Sequence, residues 1–254
     1  MSPTPFDLSG KIALVTGGSR GIGEAIASIL ALHGAHVVVA SRKAGPCEEV
    51  ADSLRRKGLR ASALACHVGD LGQIDAALAQ IIADFGRLDI VVNAAAANPY
   101  FGPVADTPPE AFQKTVDVNF RGAFYLTAGA VRTMASSGGA ILHVASIAGV
   151  VPGPNQGLYS MTKAALISLT KAFAAECGPL GVRVNALLPG ITDTRFAAAL
   201  VQDDEMRVQY LSRVPLARVA QPNDMAGAAL YLVSTAAEYT TGVCLPVDGG
   251  WLVK

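Results

Sequence analysis

The chain of 254 residues predicts an α/β fold: a single-domain, doubly wound parallel β-sheet of about seven strands with helices on both faces. Three observations carry that expectation. Short apolar, β-branched runs alternate with longer helical patterns from one end of the chain to the other. The runs are nearly continuous, as strands buried on both faces require, rather than alternating apolar and polar. Finally, 51% of the residues are hydrophobic, 16% charged and only 6% aromatic, so small aliphatic side chains must build the core.

Taken in order, Ile12–Thr16 reads as the first strand and runs into a glycine cluster, with a helix over Gly21–Leu32 directly after it. Val37–Ala40 and Ala61–Ala65 read as the next strands, followed by helices over Cys47–Lys57 and Gln73–Phe85. Ile90–Asn93 precedes a long helical pattern, Pro109–Ala135. Ala140–Val144 precedes the helix Leu158–Cys177. Val182–Leu187, a helix over Asn223–Leu232 and a last strand Val243–Val247 close the series. Strand–helix alternation of this kind implies right-handed crossovers in one sheet. Residues 1–254 show no linker, repeat or low-complexity stretch and read as one domain. The rhythm breaks only at Ile191–Pro215, after Pro189-Gly190, where a short helix is expected. Insertions beyond a strand's carboxyl end lie where ligands bind in such sheets, so this segment is expected to form a substrate lid.

Several function classes are set aside. Twenty basic residues balance twenty acidic ones and no basic run stands out, so neither nucleic acid nor an anionic membrane surface is an expected partner. Every long apolar stretch is interrupted by glycine, proline or charge, so no membrane span is expected. The start, Met1 to Asp7, carries two prolines and an acid and does not read as a signal peptide. Cys47, Cys66, Cys177 and Cys244 are scattered, as free thiols in a reducing compartment would be, and a cytoplasmic location is expected. His33 and His36 straddle Gly34 and lack a helical face for a metal, and His143 reads as a satisfied core histidine, so no metal site is expected.

The stretch Thr16-Gly17-Gly18-Ser19-Arg20-Gly21-Ile22-Gly23 lies between the first strand and the first helix. Glycines at such a turn let the backbone approach a pyrophosphate, and the helix start offers N–H groups and positive dipole. At the end of the second strand, where NAD enzymes place a carboxylate on the ribose, this chain has Ala40-Ser41-Arg42-Lys43. With Arg20 close by, the guanidinium groups and the serine hydroxyl suit a 2′-phosphate, which points to NADP(H) in preference to NAD(H).

Tyr159 and Lys163 stand four residues apart on a predicted helix and so share a face, with Ser146 thirteen residues upstream of the tyrosine. A phenol with a pKa near ~10 is a poor base at neutral pH, but a neighbouring cation favours its ionised form. A tyrosine tuned in this way could pass a proton to or from a carbonyl or alcohol oxygen.

Together with Asn93, Asn119, Pro189-Gly190 and the ending Val247-Asp248-Gly249-Gly250, these motifs resemble the short-chain dehydrogenase/reductase family from about Ser9 to the end of the chain. The resemblance implies a Rossmann-type fold and hydride exchange between a nicotinamide and a carbonyl–alcohol pair. It implies Tyr159 as proton donor, Lys163 as its tuner and ribose ligand, Ser146 on the substrate oxygen, and Asn119 holding a water in a proton relay. Gly17, Ser19, Arg20, Gly21, Ile22, Ser41, Arg42, Lys43, His67, Val68, Asn93, Pro189, Gly190, Ile191 and Thr194 would line the dinucleotide with Tyr159 and Lys163. Within the family, several stretches look like NADPH-dependent carbonyl/retinal reductases of the peroxisomal type, though the chain ends Leu252-Val253-Lys254 rather than in a Ser-Lys-Leu-like tail. The sequence departs from the family pattern at Ala94 and Ala96, at His67 and at Ala145. The first two put backbone clearance and hydrogen bonding near the cofactor in question. The third removes a usual contact to the adenine.

The expected pocket walls are Asn98, Pro99, Tyr100, Phe101, Val150–Asn155, Phe196 and Leu200. These are mostly apolar and suit a small uncharged ketone or aldehyde. Arg195 could overturn that reading if it turned inward. The rival within the same chemistry is a 3-oxoacyl-[acyl-carrier-protein] reductase, for which Arg121 and Arg132 are the candidate docking cations. The rival of another class is a non-catalytic NADP-binding sensor or scaffold. Small apolar residues on Pro109–Ala135 and Leu158–Cys177, with the family resemblance, lead us to expect a homotetramer of 222 symmetry.

Overall fold

The computed structural model describes residues 4–197 and 204–253. Seven parallel strands form one sheet in the order β3-β2-β1-β4-β5-β6-β7. They are β1 (Ile12–Thr16), β2 (His36–Ser41), β3 (Ala61–Ala65), β4 (Ile90–Asn93), β5 (Gly139–Val144), β6 (Val182–Pro189) and β7 (Cys244–Val247). The strand order reverses between β1 and β4, and the crevice at such a switch point is where ligands sit in open α/β sheets.

Both faces are covered, which explains the unbroken apolar strands. Ala13 and Val15 face one cluster with Val37, Val39, Val92 and Leu142, while Leu14 between them faces another with Val38, Val91 and Ile141. Helices α1 (Gly21–Leu32), α2 (Ala44–Arg56) and α8 (Pro222–Val233) close the first layer through Ile26, Leu30, Val50, Leu54 and Met225. On the other face lie α3 (Leu71–Phe85), α5 (Gly122–Met134) and part of α6 (Gly157–Cys177), with Ile74, Ile81, Leu126 and Met134 inside. Burying each such aliphatic side chain contributes roughly 1.5–3 kcal/mol.

Several expected boundaries differ by one to three residues, and three differences bear on the site. Helix α2 begins at Ala44 rather than Cys47 because Pro46 fits a first helical turn, where its missing N–H has no helical partner. Strand β6 runs on to Pro189. The pattern Pro109–Ala135 is not one uniform helix: α4 (Pro109–Val116) passes through a π-helical turn, Asp117–Arg121, before α5. In the Ile191–Pro215 segment the expected short helix is α7 (Asp204–Leu211), and Leu200 lies outside the described residues. The cysteines are free, three of them buried. No helix among the described residues is long and apolar enough to cross a membrane.

Candidate active site

The carboxyl ends of β1, β4, β5 and β6 bring the catalytic candidates together. β5 ends at Val144, and two residues later Ser146 stands at the start of a short 3₁₀ turn, Ile147–Gly149, its hydroxyl accepting from the Ala148 amide at 3.1 Å. That turn lies directly on α6: a Cβ at Gly149 would stand 2.7 Å from the Lys163 carbonyl carbon, so only glycine permits the approach. Tyr159 and Lys163 are both buried, and Ser146 stands close enough to the Tyr159 phenol to favour its ionised form. The Lys163 Nζ donates to the Val144 carbonyl at 2.7 Å and lies 5.6 Å from the centre of the Tyr159 ring.

Among the protein's own groups, burial dominates the electrostatics. It pushes the Tyr159 phenol up to about 12, against a smaller lowering by Ser146, and pulls Lys163 down to about 7. The lowering expected from the sequence needs Lys163 together with an oxidised nicotinamide; among the protein's own groups, the carbonyl of Val144 receives the Lys163 hydrogen bond. Tyr159 is therefore held protonated, the state a proton donor in carbonyl reduction needs.

Asn119 sits in the π-helical turn. Its amide pairs with both main-chain groups of Ala97, accepting from the N–H at 2.7 Å and donating to the carbonyl at 2.9 Å. The second amide hydrogen goes to the Thr162 hydroxyl at 3.1 Å. The loop after β4 is thereby tied to α6 one residue before Lys163. Both side-chain donors of Asn119 are thus engaged, a set of contacts the sequence did not reveal. Thr162 was missed too, although it lies inside the Tyr159–Lys163 motif.

The dinucleotide end is built on main chain. Gly17 (φ +69) has no room for a Cβ, which would stand 2.7 Å from the Ala94 carbonyl carbon, and at Gly23 a Cβ would stand 2.2 Å from the Gly17 oxygen. Arg20 at the start of α1 makes no side-chain cap, whereas α3 is capped by Asp70 and α8 by Gln221 and Asp224. The first amides of α1 therefore have no side-chain cap, as is also the case at α2, α4 and α6. Gly21 meets Thr194, whose Cγ2 would lie 3.2 Å from a Cβ there, so the turn after β6 rests against the glycine loop. Ile22 follows in the first turn of α1 and Ser19 is half-buried in the loop.

At the end of β2, Arg42 and Lys43 are exposed, as is Arg20, and none of the three makes an ion pair or side-chain hydrogen bond among the described residues. The Ser41 hydroxyl turns inward, 3.0 Å from the Cys47 sulfur and 3.3 Å from the Lys43 carbonyl. The His67 Nδ1 accepts from the Gly69 amide at 3.0 Å, and Val68 beside it is buried. Asn93 donates to Thr127 at 3.2 Å, and Thr127 in turn contacts His143, which Thr170 holds from the other side at 2.8 Å. His143 is thus a satisfied core residue, kept neutral by burial, which pulls it down to about 3. Ala94 and Ala96 both have ordinary negative φ, so the departures there cost no backbone strain.

Pocket walls are less tightly drawn. The Phe196 ring lies 5.5 Å from that of Tyr159. The Tyr100 hydroxyl is turned to the Pro103 carbonyl at 3.0 Å, and the Gly102 amide donates to Asn155 at 3.0 Å, which ties two wall loops to each other. Asn98 is half-buried and Phe101 exposed, and neither bonds to the catalytic residues.

A buried, protonated tyrosine facing the switch-point crevice, beside an uncapped helix start cradled by glycines, defines a nicotinamide-dependent oxidoreductase. Known proteins place it more narrowly. The profile of the family described as Enoyl-(Acyl carrier protein) reductase matches residues 17–252. The human Dehydrogenase/reductase SDR family member 4 is 38% identical over 244 residues, covering 96% of this chain and 88% of its own. L-rhamnose 1-dehydrogenase (NAD(P)(+)) of Azotobacter vinelandii is 39% identical over 251 residues, covering 96% and 97%. The structure of a gluconate 5-dehydrogenase from Burkholderia cenocepacia, in complex with NADP and tartrate, superposes with a TM-score of 0.96 at 31% identity over 100% of both chains. The chain belongs to the short-chain dehydrogenase/reductase family.

Proposed function

We propose that the protein is an NADP(H)-dependent oxidoreductase that interconverts an uncharged ketone or aldehyde and the corresponding alcohol, with Tyr159 as acid and base. The observation that carries this reading is the buried Tyr159 phenol, near Ser146 and walled by the Phe196 ring. Bound nicotinamide supplies or accepts the hydride. Ser146 orients the carbonyl oxygen, Tyr159 gives it the proton, Lys163 holds the ribose hydroxyls, and Asn119 fixes the loop behind them and the proton relay. Arg20, Arg42 and Lys43 hold the 2′-phosphate, each unpaired and therefore free to do so. Ser41, His67 and Val68 flank the adenosine; Gly17, Ser19, Gly21 and Ile22 face the pyrophosphate. Asn93, Pro189, Gly190, Ile191 and Thr194 frame the nicotinamide end.

A second reading, a polyhydroxylated or acidic sugar-like substrate, has one observation in its favour. Arg195, next to Phe196, is exposed and has no carboxylate partner among the described residues. The acyl-carrier reading keeps one of its two candidate cations: Arg121 is already engaged by Asp117 at 3.1 Å and by the Gly69 carbonyl, while Arg132 is exposed. The non-catalytic reading is disfavoured by the intact Ser146, Tyr159 and Lys163. The exposed rings of Phe112, Phe120, Phe124 and Tyr125 support a homotetramer, testable by light scattering, and a cytoplasmic location completes the proposal. The deciding experiment follows NADPH oxidation with an aryl or cyclic ketone, a keto acid of similar size and an acyl thioester. Preference for the keto acid, abolished by Arg195→Ala, would move the assignment to the second reading.

A further inference from the structure

The turn after β6 contains one hydrogen bond that neither the family's motif nor the catalytic residues explain. The Ile191 amide donates to the Tyr210 hydroxyl of α7 at 2.8 Å. Tyr210 reaches that amide only because residue 190 is glycine, where a Cβ would stand 2.8 Å from its oxygen. Its ring stacks on Trp251, with centroids 6.1 Å apart and planes 15° apart, and the Arg213 guanidinium covers Trp251 at 4.2 Å. The carbonyl of Ile191 is held from elsewhere, by the Ala220 amide at 3.1 Å, and the Asp193 amide returns to Ala220 at 2.8 Å.

These bonds fix two successive peptide planes. In a trans peptide the N–H points opposite to the C=O. With the Ile191 carbonyl directed at Ala220, the Thr192 N–H must point to the other side. Thr192 is buried, and its amide has no partner among the described residues. Thr194, two residues on, rests on Gly21 of the glycine loop, so this turn borders the dinucleotide crevice.

We infer that Tyr210 is a positioning residue: it holds the Ile191–Thr192 turn so that the Thr192 amide faces the nicotinamide end of the cofactor, and it ties α7 to that turn. The inference rests on the dinucleotide reading above. It gives the helix next to the substrate walls and the cofactor's reactive end one shared support.

The test is Tyr210→Phe, which keeps the ring and its stack on Trp251 and removes only the hydroxyl. Binding of NADPH and of 2′,5′-ADP, which carries the phosphate-bearing half of the cofactor without the nicotinamide, is measured by titration calorimetry alongside steady-state kinetics. NADPH should bind about fivefold more weakly, the weight of one neutral hydrogen bond, with a higher KM for the carbonyl and unchanged affinity for 2′,5′-ADP. Equal weakening of both ligands would show general loosening and overturn the positioning role, as would no change in either. A wild-type protein that binds neither ligand would instead overturn the dinucleotide reading, and this inference with it.

Discussion

The two halves of the crevice are made of different material. On the dinucleotide side the contacts available are mostly main chain: α1 starts without a side-chain cap, and Gly17 and Gly23 pack where no Cβ fits. On the substrate side everything depends on side chains. Ser146 comes from the turn after β5, Tyr159 and Lys163 from α6, and Phe196 from the segment after β6. The difference teaches that the first half is set by what must be absent, and the second by what must be present. Substitutions should therefore fail in different ways on the two sides.

The sharpest test removes one oxygen from the substrate side. Tyr159→Phe should lower kcat by about 10²–10⁴, the usual weight of a positioned acid–base group, and leave NADPH affinity nearly unchanged. Single-turnover kinetics and a binding titration separate the two. Retention of a tenth of the wild-type rate would refute the assignment of Tyr159. The dinucleotide side has one place where side chains do matter, the 2′-phosphate corner. Ser41→Asp combined with Arg42→Ser should reverse the preference for NADPH over NADH, since each charge-assisted contact contributes about 1.5–3 kcal/mol. Equal kcat/KM for both cofactors in the wild type would count against that corner.

A smaller effect exposes what the substrate side costs the fold. Lys163 holds its proton less tightly when folded, near about 7, than at its ordinary value of 10.5. Stability linked to it is complete above the unfolded value and is lost as the pH falls toward the folded one. The melting temperature of Lys163→Met should therefore exceed that of the wild type most at about pH 6, and the gap should shrink toward about pH 10. A gap independent of pH would mean that folding leaves the proton affinity of the buried amine unchanged. The least effect concerns Ala217, between α7 and α8, which has φ +52. A left-handed alanine costs about 1 kcal/mol, so Ala217→Gly should raise the melting temperature slightly and leave kcat as it was.

The sheet, its helices and the Ser146–Tyr159–Lys163 set could be read in the sequence because periodicity and spacing are local. What could not be read depended on burial or on partners far along the chain. The charge of Lys163, with that of an oxidised nicotinamide, was expected to act on Tyr159; the shifts among the protein's own groups come from how deeply α6 is buried, a tertiary quantity. Ser41 was a natural phosphate ligand by type, yet its hydroxyl has Cys47 as a neighbour. Tyr210 carried no motif at all, and its importance appears only when the turn after β6 folds against α7. His143 was read correctly as a core residue because its strand position implied burial, although the two threonines that satisfy it lie on separate helices.

The π-helical turn at Asp117–Arg121 has a consequence for how this chain tolerates change in length. Such a turn holds one residue more than a regular α-helical turn, and rotates everything after it by about a quarter of a circle relative to the helix before. Deleting a single residue there would let α4 and α5 fuse into a straight, more regular helix. It would also turn Asn119 away from Ala97 and Thr162, and swing the inward face of α5 off the sheet. The irregular form is therefore the one compatible with the rest of the molecule, and a shortening that improves the local helix should be lethal to the enzyme.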